Sequence, residues 1–112
     1  MDQPFAHSLS DGSPTTPLGF RAAAVAAGIK QSGRPDLVLV VSDRDCAAAG
    51  VFTSNRVAAA PVLLDRETLA AGRAALRGVI INAGNANACT GAPGLADARE
   101  MQQLAAAAVG AR

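Results

Sequence analysis

The sequence predicts an α/β fold with a mixed sheet and packed helices, and three observations carry that assignment. Leu37 to Val41 is a continuously apolar, β-branched run between polar turn residues, the pattern of a buried strand. Val79-Ile80-Ile81 is a second such run. Met101, Leu104, Ala105 and Ala108 recur at the i, i+3, i+4, i+7 spacing of one helix face. With 112 residues, the chain fits one small domain.

Residues 1–17 hold Pro4, Pro14 and Pro17 and the cluster Asp11-Gly12-Ser13, which reads as a flexible leader. The folded part is expected to span residues 18–112, beginning at Leu18-Gly19-Phe20. Phe20 to Ile29 is ambiguous. Its alanines favour helix, the slightly preferred reading on propensity, while the bracketing Gly19 and Gly28 and the short length allow a strand. After Leu37 to Val41, the residues Ser42 to Asp45 read as a polar turn, and Ala47 to Thr53 as a further strand. Val62 to Leu64 reads as a short strand. Asp65 then caps a brief helix through Leu69 that Gly72 ends. The last helix is expected beyond Pro93-Gly94, with Asp97 and Glu100 near its start, where acids suit the helix dipole. It shows little sign of a designed stop, so the chain looks cut rather than complete.

Composition narrows the function classes. Half the residues are apolar, but alanine dominates them and only Phe5, Phe20 and Phe52 are aromatic. Burying alanine removes little area, at roughly 25 cal/mol per Å², so the core of this segment is expected to be weak and to lean on more chain or a partner. The net charge is +1, and the nine arginines are scattered without a basic block, which argues against nucleic acid. Cys46 and Cys89 suit neither a disulfide framework nor a zinc site, and read as small buried thiols in a reducing compartment. The single His7 lies in the leader, an improbable ligand or base. No apolar run nears the roughly 20 residues of a membrane span, and Met-Asp-Gln-Pro is no secretory signal. No membrane contact and a cytoplasmic location are the expectation.

The segment richest in chemistry runs from Asn82 to Gly91, with three Asn and two Gly in ten residues between a strand and a helix. Asn and Gly tolerate left-handed backbone, so the segment can wind tightly and turn several N–H groups toward one point. The loop before a helix also favours negative charge. Thr90 offers a hydroxyl and Gly91 an unobstructed N–H, the donor pair that a tetrahedral oxyanion needs. For an arbitrary sequence, a purely structural Asn/Gly turn is the more common outcome. Phosphate-loop and dinucleotide-loop readings fail on spacing. Neither Cys89 nor Thr90 has a partner to activate it as a nucleophile, with no histidine but His7. The segment offers stabilisation without attack.

Five blocks in order resemble the ornithine acetyltransferases (glutamate N-acetyltransferases). They are Pro17-Leu18-Gly19-Phe20-Arg21-Ala22 with Ala27-Gly28-Ile29-Lys30; Asp36 to Val40; Ala49-Gly50-Val51-Phe52-Thr53-Ser54-Asn55; Ala59-Ala60-Pro61-Val62; and Asn82 to Gly91. The resemblance implies the front of that family's α-chain, an incomplete portion of its layered fold, with Phe20 to Ile29 as a strand. It also implies an acyltransferase that moves acetyl from N-acetylornithine to glutamate in arginine biosynthesis. Some members take acetyl-CoA as co-substrate, and no bound cofactor is implied. The precursor cleaves itself at an Ala-Thr bond. The freed threonine of the β-chain is the nucleophile, and an α2β2 heterotetramer with that β-chain is the implied partnership. Carried over, Thr90 and Gly91 form the oxyanion hole. The family's α-chain continues beyond this sequence, whose residues lack the Met-Ala-Thr cleavage motif, so this portion alone is expected to be inactive. Two alternatives stand beside this reading. One is a noncatalytic module binding a small anion or a protein through the Asn/Gly loop. The other is a fragment of a related self-cleaving amidase.

Overall fold

The structure, a computed structural model, describes residues 8–72 and 74–111. The first seven leader residues, His7 among them, lie outside the described part. Residues 8–17 form hydrogen-bonded turns, with Gly12 N–H donating to Leu9 O at 3.2 Å and Thr16 N–H to Ser13 O at 3.0 Å. Five elements follow: β1 (Phe20–Val25), β2 (Leu37–Cys46), α1 (Ala60–Ala71), β3 (Leu76–Asn82) and α2 (Gly91–Ala108).

The α/β class holds, and the described strands form one three-stranded sheet of order β1-β2-β3, antiparallel throughout. β1 is a strand, as the resemblance implied and as alanine propensity did not. Its six residues pair with β2 from Phe20↔Ser42 to Val25↔Leu37. A ladder on the open edge of β2 outweighs the few tenths of a kcal/mol by which alanine prefers helix. Gly19 at φ +86° and Gly28 at φ +83° turn the chain into and away from it.

Four of the sequence expectations need correction between residues 42 and 69. Ser42 to Asp45 is not a turn but the second half of β2. Two arginines reach it across the sheet, with Arg21 Nε donating to Asp43 Oδ1 at 2.9 Å and Arg77 Nε to Ser42 O at 3.1 Å. Ala47 to Thr53 is not a strand. It lies against α1 instead: a side chain at Gly50 would come within 2.9 Å of Leu69 Cδ1. Beside it Arg66 sits 5.5 Å over the Phe52 ring and donates to Thr53 O. Val62 to Leu64 is helical, and Asp65 lies inside α1 rather than capping it. The N-cap is Ala59, and Pro61 occupies the first turn, where its missing N–H costs nothing. Gly72 does end this helix.

α2 also begins earlier than expected, at Gly91, which leaves Asp97 and Glu100 beyond its first turn. It has a defined stop. Ala111 N–H donates to Ala106 O at 2.8 Å and Gly110 N–H to Ala107 O at 3.2 Å, with Gly110 at φ +67°. That pair of bonds is a Schellman motif.

α2 packs on α1 and on β3. The core is Ala60, Leu64 and Ala98 with Leu95 against them. The expected stripe is thus displaced: Leu104 is 65% exposed, and the inward side of α2 carries Gly94 and Ala98. With alanine on every side, the apolar period does not select a face. Polar groups complete the helix pair. Arg99 grips Glu67 bidentately at 3.3 and 2.7 Å, and Gln102 Nε2 donates to Thr68 Oγ1 at 2.9 Å.

Candidate functional site

β3 delivers the chain directly into the Asn-rich loop, and α2 takes it away. Asn82 Nδ2 donates to Asn85 O at 2.8 Å, and Asn85 Oδ1 accepts Asn87 N–H at 2.8 Å. Asn87 itself adopts φ +48° and Cys89 φ +57°. Left-handed backbone is uncommon outside glycine, with Asn the most tolerant of it. Asn87 Nδ2 donates to Gly94 O at 2.7 Å, and Asn87 O accepts Ala60 N–H at 3.1 Å. One residue thereby ties the loop to the first turns of both helices.

Thr90 and Gly91 sit where the loop becomes α2. Thr90 has φ −98° and ψ −5°, between Cys89 at φ +57° and Gly91 at φ +65°. Such alternation of handedness turns successive N–H groups to one side, forming the concavity that binds anions. Both residues are exposed. They line an open cleft of about 260 Å³ with Cys89, Ala58, Leu63 and Leu95. Its lining is therefore largely apolar. Both residues named from sequence thus lie in the lining of an open cleft, not inside hydrocarbon.

The Thr90 hydroxyl is already engaged. It donates to Asn87 Oδ1 at 2.6 Å. The Asn87 amide orientation follows from its other end, because only the NH2 group can donate to Gly94 O. Gly94 is buried directly beneath this pair, and a Cβ there would overlap both Thr90 Oγ1 and Asn87 Oδ1. Sequence reasoning named neither Asn87 nor Gly94 as a site residue. The signal for Gly94 was its spacing, since four residues after Thr90 is one helical turn.

A buried polar group braces the loop from behind. Asp36 is 3% exposed, with Oδ1 accepting Ala27 N–H at 2.7 Å and Oδ2 accepting Lys30 N–H at 2.8 Å. Its carbonyl accepts Ala83 N–H at 2.8 Å. The Lys30 and Ala27 amides hold the Asp36 carboxyl below its ordinary pKa. The β1–β2 connection is thus pressed onto the site loop, where a side chain at Gly84 would come within 2.8 Å of Lys30 Cγ.

Cys46 donates to Ser42 Oγ at 3.0 Å, and Cys89 is exposed on the cleft rather than buried; both are free thiols. Among the described residues, no three His, Cys, Asp or Glu side chains gather as a metal-binding group. No helix among them is long and apolar enough to cross a membrane.

Known proteins resemble this chain closely. Over 96 residues it is 57% identical to the arginine biosynthesis bifunctional protein ArgJ of Mycobacterium tuberculosis, a match covering 85% of this chain but 23% of that protein. The ArgJ of Geobacter sulfurreducens is 54% identical over 93 residues, 83% of this chain and 23% of its own length. The chain therefore spans about a quarter of these relatives. Among solved structures, the M. tuberculosis ornithine acetyltransferase in complex with ornithine superposes with a TM-score of 0.77 at 57% identity. That match covers 82% of this chain and 47% of the other. The Bacillus halodurans ArgJ structure gives a TM-score of 0.87 at 38% identity over 93% of this chain and 53% of its own. The sequence profile of the ArgJ family runs through residues 21–112, from the second residue of β1 through α2, and the chain belongs to that family.

Proposed function

We propose that this chain is the front portion of an ArgJ-type acyltransferase, which moves acetyl from N-acetylornithine to glutamate and here supplies the oxyanion hole. The attacking threonine belongs to the rest of the polypeptide, the β-chain, with acetyl-CoA as a second donor where the parent enzyme accepts it. The observation that supports this reading is that Thr90 and Gly91 lie side by side in the lining of one cleft, with backbone of alternating hand around Thr90. Attack on the acetyl carbonyl places negative charge on its oxygen. A hydroxyl and an N–H lining that cleft would oppose the charge.

The test is Thr90→Ala in the full-length protein. Turnover should fall about 100- to 1,000-fold, the usual loss for one oxyanion donor, with Thr90→Ser retaining most of it. An unchanged rate overturns the assignment. The purified 112-residue chain should transfer no acetyl group.

A second reading has its own observation. The bond from Thr90 to Asn87 Oδ1 is what a purely structural turn would use to satisfy itself. Under that reading, Thr90→Ala lowers the unfolding temperature and leaves turnover of the folded enzyme intact.

A further inference from the structure

We infer that Asn87 is a positioning residue for the acyl-transfer site: it holds the Thr90 hydroxyl proton until the oxyanion forms. The inference rests on the oxyanion reading of Thr90 and deepens it.

A threonine hydroxyl has one proton. In the open cleft that proton goes to Asn87 Oδ1, at 2.6 Å. The acceptor is itself held still. Asn87 Nδ2 donates to Gly94 O at 2.7 Å, its N–H to Asn85 Oδ1 at 2.8 Å, and its carbonyl accepts Ala60 N–H at 3.1 Å. The amide cannot flip without placing its NH2 against the Thr90 donor and its oxygen against the Gly94 carbonyl. Gly94, with no Cβ, leaves the space in which the two side chains meet. Thr90 Oγ1 is thereby kept in one staggered well instead of sampling three.

To stabilise an oxyanion, the O–H must turn about the Cβ–Oγ1 bond from Oδ1 to the new acceptor. No bond to carbon changes and no proton is transferred; the hydroxyl exchanges one acceptor for another. A neutral amide oxygen suits this duty because an oxyanion outcompetes it. Hydrogen bonds to an ionised acceptor are roughly twice as strong as those to a neutral one. A carboxylate at position 87 would remove that advantage.

The experiment is a double-mutant cycle in the full-length enzyme, with Asn87→Gly and Asn87→Asp each made in the presence and absence of Thr90→Ala. Glycine suits the φ of +48° and deletes only the side chain. Aspartate also tolerates that backbone. For Asn87→Gly, kcat should fall about tenfold, with KM little changed. That lies between the threefold from releasing three rotamers and the roughly 100-fold a 1 Å misplacement costs. Asn87→Asp should fall further. Relative to wild type it should recover as pH drops and the carboxyl protonates, because a carboxylic acid restores both the neutral acceptor and the donor to Gly94. Neither change should lower kcat further once Thr90 is alanine. Equal losses in both backgrounds would mean Asn87 acts only on the fold, which overturns the inference, as would wild-type kcat in both single variants. If Thr90→Ala alone leaves kcat unchanged, the oxyanion reading itself has failed.

Discussion

At the residue scale, the site depends on a missing atom as much as on the groups present. Gly94 is the residue over which Thr90 and Asn87 close, and a methyl there would occupy the space of both side-chain oxygens. Gly94→Ala is therefore expected to push the Thr90 hydroxyl out of position. Turnover in the full-length enzyme should fall to about the level of Thr90→Ala, with stability lower by about 1–3 kcal/mol from overpacking. Wild-type turnover in that variant would show that the hydroxyl does not need its observed place. The tight winding of the Asn/Gly loop could be read from residue types alone, because few residues tolerate left-handed backbone. Cys89 at φ +57° could not, since nothing about a cysteine announces it. The roles of Asn87 and Gly94 come from tertiary closeness.

At the scale of elements, the site loop is held between the two helices on one side and the β1–β2 connection on the other. Asp36 makes the second attachment, with its carboxylate on the connection and its carbonyl on Ala83. Because its folded-state pKa is lowered, chiefly by the Lys30 and Ala27 amides, the carboxylate adds stability at pH above its unfolded value of about 3.9. That contribution is lost as pH falls through the lowered folded value. The urea midpoint should accordingly drop on acidification below about pH 4. Asp36→Asn should be less stable at pH 7, since one amide N–H would face its NH2, and should lose less between pH 7 and pH 3. Identical pH dependence in the two proteins would discount Asp36. The strands at Leu37 and Val79 were legible because apolar, β-branched runs have few alternatives. Val62 to Leu64 misled because three β-compatible residues weigh less than Pro61 at a helix start. Gly110, one residue past Val109, was a stop signal in plain view, and alanine-rich α2 hid its inward face.

Over the whole molecule, the weak core foreseen from alanine content is a matter of area. The chain exposes 8614 Å², against about 5,700 Å² for a compact monomer of its 11.2 kDa. Part of the exposed surface is an apolar sheet face. Phe20, Ala22 and Ala24 on β1, Val38 and Val40 on β2, and Val79 and Ile81 on β3 share one face of the sheet by register. On it Val79 is 58% and Ile81 50% exposed. Among the described residues, no large side chain is fully buried. Denaturant sensitivity scales with the area that unfolding uncovers, and here little is covered to begin with. The isolated 112-residue chain should therefore bind an apolar dye such as ANS without denaturant. It should also unfold in urea with a shallow slope, below about 1 kcal/mol per M. Val79→Thr with Ile81→Thr should reduce the dye signal and leave the urea midpoint nearly where it was, because those side chains contribute little burial. A steep transition without dye binding, or a large loss of stability in the double variant, would mean that this face is closed in solution.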